Sequence, residues 1–398
     1  MKTGWNHKRL GEISEIRYGY TESANSEPIG PRFLRITDIQ DEQVCWESVP
    51  YCKIEPELLP RFRLEDEDIV FARTGATTGK SFLVSAPPEA VFASYLIRLR
   101  ALADVRPKYL SYYFRSERYW AAIKDGSAGS AQGGFNASKL ADLEIPFPSE
   151  TEQERIVNIL DEAFEGIAAA KANAEKCVQN AQELFDSWMQ GQFTAGGKNW
   201  VRVRLGETGS SISTGPFGTM LHKADYVDDG IPLVNPMNIV GSKIVPSTRM
   251  MVSPSTKKRL ENYVLRKRDV VIARRGELGR CAIVTETEEG WLCGTGSFFV
   301  RLSTCIDEQY FAALFGSPAF KSVLDQNSIG TTMSNLNHGI LNDLELFLPP
   351  VQEQRAIITR AGDLVSEIDR FRANSGERIN HLDELKQSLL HQAFTGKL

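Results

Sequence analysis

The sequence has 398 residues, 42% hydrophobic and 24% charged, a balance that suits a soluble globular protein of two or three domains at about 150 residues each. Its net charge of −5 argues mildly against a bulk nucleic-acid binder, whose domains are usually basic, without excluding a local basic surface. No run of about 18 apolar residues occurs, so neither a membrane span nor a membrane partner is expected. The opening MKTGWNHKRLGEI lacks the basic-then-apolar pattern of a secretory leader. Six cysteines (Cys45, Cys52, Cys177, Cys281, Cys293, Cys305) form no CxxC pair and have no zinc-type spacing, and read as core thiols in a reducing cytosol.

In chain order, WNHKRLGEI at residue 5 is followed by PRFLRITDI at 31–39, a short apolar run closing in a polar residue and Ile. Residues 65–84 (EDEDIVFARTGATTGKSFLV) read as strand, glycine-rich polar loop, strand. SYLIRLR at 94–100 is a further strand, and residues 107–123 a helix with Tyr109, Phe114 and Trp120 on its apolar face. A Gly- and Ser-rich loop follows at 126–136, and the segment closes with LADLEIPFPSETEQERI at 140–156, whose prolines and Glu/Gln residues mark a helix start. From residue 200 the same order returns: WVRVRLGET, IPLVNPMNI at 231–239, and RKRDVVIARRGELGRCAIV at 266–284. SFFVRLS at 297–303, a helix at 307–324 with Tyr310, Phe315 and Phe320, NSIGTTMSNLN at 327–337 and LNDLELFLPPVQEQRAI at 341–357 complete it. A repeat of this kind is an internal duplication.

Each copy ends in a long helix. Ile156, Leu160, Ala163, Ile167, Ala170, Ala174, Cys177, Ala181, Leu184 and Trp188 step 4-3-4-3, the seam of a helix that lies against another. Ile357, Ala361, Leu364, Ile368, Phe371, Ser375, Arg378, Leu382, Leu385 and Leu389 repeat those steps about 201 residues later. Antiparallel pairing of the two buries both seams, and about 34 helical residues span roughly 50 Å. Ala170, Ala174 and Cys177 are then expected to face Phe371. The fold class expected is α+β, with two similar domains (residues 1–150 and 194–350) separated by an antiparallel pair of long coiled-coil helices (151–193 and 351–398) and related by a pseudo-two-fold internal repeat.

Catalytic patterns are missing. RTGATTGKS at 73–81 lacks the first glycine of a P-loop and precedes a strand-like segment where a helix is needed. Asn235-Pro236-Met237-Asn238 lacks the second proline and the aromatic of an amino-methyltransferase element. Five scattered histidines make no metal pattern. The acidic run Glu65–Asp68 becomes Arg266–Asp269 in the other half, a change to opposite charge, and reads as solvated surface rather than as metal ligands. Basic residues gather in the second half at Lys257, Lys258, Arg259, Arg266, Lys267, Arg268, Arg274, Arg275 and Arg280.

These residues carry a resemblance. Pro148 with Glu152, Gln153 and Ile156, and Pro349 and Pro350 with Glu353, Gln354 and Ile357, precede the two helices. Together with Gly-Ser-Ala-Gln at 129–132 and the matching helix ends Phe193-Thr194 and Phe394-Thr395, they make the chain resemble the specificity (S) subunit of type I restriction–modification systems. The resemblance spans essentially the whole chain. It implies two target-recognition domains, each reading half of a bipartite asymmetric site in double-stranded DNA, with the helices as spacer. It also implies docking of two methyltransferase (M) subunits, which rather than this chain would bind S-adenosylmethionine, and of restriction/translocase (R) subunits, in a prokaryotic cytoplasm. No cofactor, metal or catalytic residue is expected in this chain.

One helical turn of DNA is about 34–36 Å, which two domains on such a helix pair can bracket. Arg pairs bidentately with guanine, Asn and Gln with adenine, Glu with cytosine, and Lys and Thr with phosphates. The hairpin loops offer Arg73, Thr74, Thr77, Thr78 and Lys80 in one half, and Arg274, Arg275, Glu277 and Arg280 in the other. Arg35, Asp38, Asn235 and Asn238 close the preceding strands; Gln132, Asn136, Asn335 and Asn337 lie in the later polar loops. The seam is expected to bury Ile156, Leu160, Ile167, Leu184, Trp188, Ile357, Leu364, Ile368, Leu382, Leu385 and Leu389. Two other readings stay open: a fragment of a combined restriction–modification enzyme, disfavoured because no methyltransferase or nuclease motif is present, and a protein-binding scaffold, disfavoured by the basic second hairpin.

Overall fold

The computed structural model of the chain describes residues 5–40, 43–127, 134–194, 199–216, 220–247, 249–327 and 335–398. By internal contacts the chain divides into two units, Met1–Glu175 with Ser375–Leu398, and Lys176–Asn374. The boundaries fall inside two 45-residue helices, a central one at Glu150–Thr194 and a last one at Val351–Thr395. Each unit therefore holds one mixed α/β body and a stretch of both helices.

The first unit is built on a four-stranded antiparallel sheet in the order Ser14–Tyr18, Leu96–Ala101, Ile69–Ala72, Ser81–Leu83. Ile69–Ala72 is buried at every residue, as an unbroken apolar run covered on both faces should be. Ile69 and Phe71 meet a core containing Leu10, Tyr109 and Leu160, while Val70 and Ala72 meet Leu34, Val84 and Phe92. Asn6–Arg9 pairs antiparallel with Glu144–Phe147, tying the start of the body to the segment just before the central helix.

The second unit repeats the plan. Its sheet runs Ser211–Thr214, Ser297–Arg301, Val270–Ala273, Cys281–Ile283, and Val201–Arg204 pairs with Glu345–Leu348. The registers correct the alignment read from sequence. Ala72 pairs with Leu96, and Ala273 with Ser297, so Arg100 rather than Arg98 corresponds to Arg301. Ion pairs to buried aspartates mark that register: Arg100 grips Asp68 at 2.8 Å and Arg301 grips Asp269 at 3.1 Å. Asp68 and Asp269 are 1% and 2% exposed, so the end of the run expected as solvated surface is an interior anchor in both halves. Asp68 also caps the backbone N–H of Glu65, and Asp269 that of Arg266.

The helix expected at 107–123 breaks into Pro107–Tyr113 and Glu117–Ser127. At the break Ser116 Oγ donates to the Tyr113 carbonyl (2.7 Å) and accepts from the Tyr119 N–H (3.3 Å). The interruption shifts the helical phase, so Tyr119 is buried and Trp120 is left 40% exposed. Ser317 makes the same pair of bonds to Leu314 and Phe320.

Within the first unit the central and last helices run antiparallel. Arg155 donates to the Leu398 carbonyl, the Lys386 ammonium lies 5.2 Å from the Phe164 ring centroid, and Lys171 pairs with Asp383. Ile156, Leu160 and Ile167 are buried there, as are Leu390, Ala393 and Phe394, with Leu382 and Leu389 half-buried. In the second unit Ile357 and Phe193 are buried and Trp188, Leu364 and Ile368 half-buried, while Arg372 reaches Gln182 at 3.4 Å. Two seam expectations fail: Leu184 is 71% and Leu385 47% exposed. A seam stepping every 3.5 residues drifts by about 20° per heptad on a straight helix of 3.6 residues per turn, so later members rotate out. Within the second unit Phe371, 40% exposed, shares an open cleft with Ala181, Leu184, Phe185 and Trp188.

A fully buried glutamine fastens each helix to its body. Gln153 accepts from the Arg106 N–H and donates to the Asp104 and Pro148 carbonyls. Gln354 accepts from the Asp307 N–H and donates to those of Cys305 and Pro349. Among the described residues no helix is long and apolar enough to cross a membrane.

Candidate nucleic-acid interface

Each sheet projects one hairpin loop, and both loops are shaped by glycines. Gly75 and Gly79 have φ of +77° and +94°, Gly276 and Gly279 of +82° and +84°, a left-handed backbone that side chains resist. A Cβ on Gly79 would lie 2.8 Å from Ile123 and Trp120, and one on Gly279 2.5 Å from Lys321. The loops thus close tightly onto the helix behind them, and strands follow at Ser81–Leu83 and Cys281–Ile283.

Backbone hydrogen bonds lace three segments together at the root of each loop. Arg73 N–H donates to the Tyr95 carbonyl (3.2 Å), and the Arg73 carbonyl accepts from Phe135 N–H (2.9 Å). Arg274 N–H donates to Gly296 (3.0 Å), and the Arg274 carbonyl accepts from Leu336 N–H (3.0 Å). The hairpin loop, the turn entering the neighbouring strand and the backbone at Phe135 or Leu336, just before the next short helix, therefore meet in each unit. In the second unit the strand-closing turn joins them, since Asn235 Oδ1 lies 3.5 Å from Gly296 N.

The side chains on this surface differ between units. Arg73 is half-buried, 4.8 Å from the Tyr18 ring, with Nη1 3.5 Å from the Ser94 carbonyl. Thr74 and Thr77 are half-buried, Thr78 Oγ1 donates to the Gly75 carbonyl, and Lys80 is exposed. Arg274 is half-buried, donating Nε–H to the Leu336 carbonyl, 5.8 Å from the Phe298 ring. Arg275 is exposed and bridges to Asn335 through the backbone. Glu277 pairs with Lys321, and Arg280 Nε–H donates to the Glu277 carbonyl.

Several candidates prove to be turn-builders. Asp38 caps the Arg35 N–H and takes the Arg35 guanidinium on both oxygens. Asn238 corrects a sequence expectation: it is 3% exposed, accepting from Asn235 N–H and donating to Val245, which takes it away from any groove. Asn235 Nδ2 points to Met250 Sδ. Asn136 and Asn337 cap short helices by accepting from Lys139 and Ile340 N–H. Gln132 lies outside the described residues.

Of the basic cluster, Arg259 is paired with Asp225, Lys267 with Glu286 and Arg268 with Glu308, so only part of it adds to the surface charge. Residues that sequence reasoning passed over now stand out. Tyr95, 63% exposed, lies in the turn beside Arg73, and Met237, 63% exposed, beside Asn235. The apolar pattern of 94–100 hides Tyr95, because the strand begins one residue later, at Leu96. Among the described residues no group of three or more His, Cys, Asp or Glu could hold a metal ion.

Comparison with known proteins adds to this geometry. A family model described as the type I restriction modification DNA specificity domain matches twice, over residues 2–176 and 197–375. The StySPI specificity subunit of a type I restriction enzyme from Salmonella potsdam is 24% identical over 365 residues, covering 84% of this chain and 76% of that protein. The putative MjaX specificity subunit from Methanocaldococcus jannaschii is 23% identical, covering 99% of this chain and 93% of its own. The HsdS subunit from Thermoanaerobacter tengcongensis superposes with a TM-score of 0.66 at 18% identity, over 100% of this chain and 98% of that one. A chain from a study of complex assembly and conformational transition of the type I R-M system gives 0.68 at 20% identity, over 100% and 99%. These two structures share the fold.

Proposed function

The chain belongs to the family of type I restriction–modification DNA specificity proteins, carrying two copies of its domain, and from that premise we propose that it reads a bipartite, asymmetric DNA site for a complex whose chemistry lies in other subunits. The observation that carries this reading is the pair of loop clusters. Both are built by the same backbone bonds, at Arg73 and Arg274, yet they present different side chains. A shared frame with unlike readers suits two half-sites of unlike sequence, because base edges in the major groove are told apart by donor and acceptor pattern. Arg275 is the leading base reader, and Arg73 leads in the first unit.

The helices supply docking surface for methyltransferase subunits. In the second unit Leu184, Phe185, Trp188, Leu364, Ile368 and Phe371 line an open apolar cleft of about 590 Å³. An exposed apolar patch rimmed by charge marks a protein contact, and Arg360 and Glu367 form that rim. S-adenosylmethionine and adenine methylation belong to those partners, cleavage to a restriction subunit, and the site of action is the cytoplasm.

The test is co-expression with the methyltransferase subunit encoded alongside, followed by mapping of genomic adenine methylation with and without this chain. A gapped asymmetric motif that depends on the chain is the expected result. A stable complex with no chain-dependent motif would instead favour a protein-binding scaffold.

A further inference from the structure

We propose that a cleft beside the first unit's hairpin loop seats a backbone phosphate of duplex DNA, with Lys386 of the last helix as one of its cations; this rests on the DNA-reading function above. The cleft, about 360 Å³, is walled by Lys80 and Ser81 at the end of the hairpin loop, by Arg115 and Trp120 from the helical segment, and by Lys386 and Gln387. Ile39, just after the turn closed by Arg35 and Asp38, forms part of the rim. Lys80, Arg115 and Lys386, with the neutral hydrogen-bonding side chains of Ser81, Trp120 and Gln387, line one space where no carboxylate is found among the described residues, in a chain of net charge −5.

Lys386 is held there by an aromatic ring. Its ammonium lies 5.2 Å from the Phe164 centroid, an attraction that orients a cation without neutralising it. The acidic side chains of this helix region, Asp383 and Glu384, line the neighbouring depression with Glu117, and Asp383 is paired with Lys171. The cationic cleft thus opens on the loop side, at the foot of the side chains assigned to base edges. Half to two-thirds of protein–DNA hydrogen bonds go to phosphate and sugar, and these set the register in which bases are read.

The second unit lacks this arrangement. Where the first has Lys80, Arg115, Trp120 and Lys386, the corresponding positions hold Arg280, Gly316, Lys321 and Phe185, and Lys321 is paired with Glu277. The helix cation is therefore one-sided, and only the flank read by the first unit gains the contact.

The experiment measures binding of the cognate duplex by the complex with methyltransferase subunits, from 50 to 200 mM salt, for the natural chain, Lys386→Gln and Lys386→Arg. Each neutralised phosphate contributes about 0.9 to the slope of log affinity against log salt. Lys386→Gln should lower the slope by about that amount, so that binding loses about three- to fourfold less across the range, while Lys386→Arg keeps the natural slope. A duplex with one neutral methylphosphonate at the contacted flank should weaken the natural chain and leave Lys386→Gln unaffected; the same change on the other flank should not distinguish them. Lys80→Gln supplies a second, independent loss of slope should Lys386→Gln fail to assemble. An unchanged slope in both variants, with specific binding intact, overturns the cleft assignment alone. Competition by inorganic phosphate that depends on Lys386, without any methylphosphonate effect, would assign the cleft to a free phosphate compound and overturn it too. Failure of the natural complex to bind any gapped site overturns both readings.

Discussion

Arg274 and Arg275 are neighbours with separate work. Arg274 spends its Nε–H on the Leu336 carbonyl, while its backbone ties Gly296 and Leu336, so loss of the side-chain bond in Arg274→Ala should cost about 1 kcal/mol of stability, seen as a lower Tm. Arg275 is exposed, and Arg275→Ala should weaken cognate binding by about 1–3 kcal/mol at matched salt while sparing Tm. Unchanged binding would remove Arg275 from the interface. The cysteines divide as sharply. Cys45, Cys177 and Cys305 are exposed, which corrects the expectation of six core thiols, whereas Cys52, Cys281 and Cys293 are buried. Burial pushes the Cys52 thiol up to about 11 and that of Cys281 to about 12. At pH 8 a thiol reagent should therefore titrate three groups quickly and the rest only after unfolding; six fast thiols would contradict the packing. Loop arginines were legible as candidates because few other roles fit them in Gly-rich turns. Asn136, Asn337 and Asn238 were not separable from adenine readers, because the same amide that reads a base also caps a helix or closes a turn.

At the scale of elements, each body is closed by the far end of a long helix. Phe394 packs on Tyr109 and Tyr113 at 5.3 Å, and Phe193 on Tyr310 at 5.5 Å, which gives the matching Phe-Thr helix ends a physical purpose. Phe394→Ala should cost about 3–5 kcal/mol, measured by denaturant unfolding; a loss below about 1 kcal/mol would mean the helix end is not anchored. The two seams make a sharper contrast. Leu160 is fully buried and Leu184 is 71% exposed, so Leu160→Asp should unfold or strongly destabilise the first unit, while Leu184→Asp leaves Tm unchanged and weakens assembly with methyltransferase subunits. Equal Tm losses from both would contradict the observed exposure, and normal assembly of Leu184→Asp would remove the cleft from the docking surface. Helices were legible from their steps, and strands from their apolar runs. The alignment of Arg98 with Arg301 slipped by two residues because such a slip leaves every side chain on its own face; the strand pairing of Ala72 with Leu96 and Ala273 with Ser297 gives the register, and the Asp68–Arg100 and Asp269–Arg301 pairs mark it.

For the molecule as a whole, duplication is the governing fact. The shift of about 201 residues visible in the sequence recurs in strand order, in the buried glutamines and in the hairpin roots. What the duplication conceals is division of labour, since the side chains that differ between copies are loop residues with no periodicity to read. The most direct test of the account is the genomic methylation motif written by the complex carrying Arg275→Ala, beside that written with the natural chain. The account predicts that one half of the gapped motif relaxes while the other half and the gap stay the same. Relaxation of both halves together, or a motif untouched in both sequence and efficiency, would contradict the assignment of one loop cluster to each half-site.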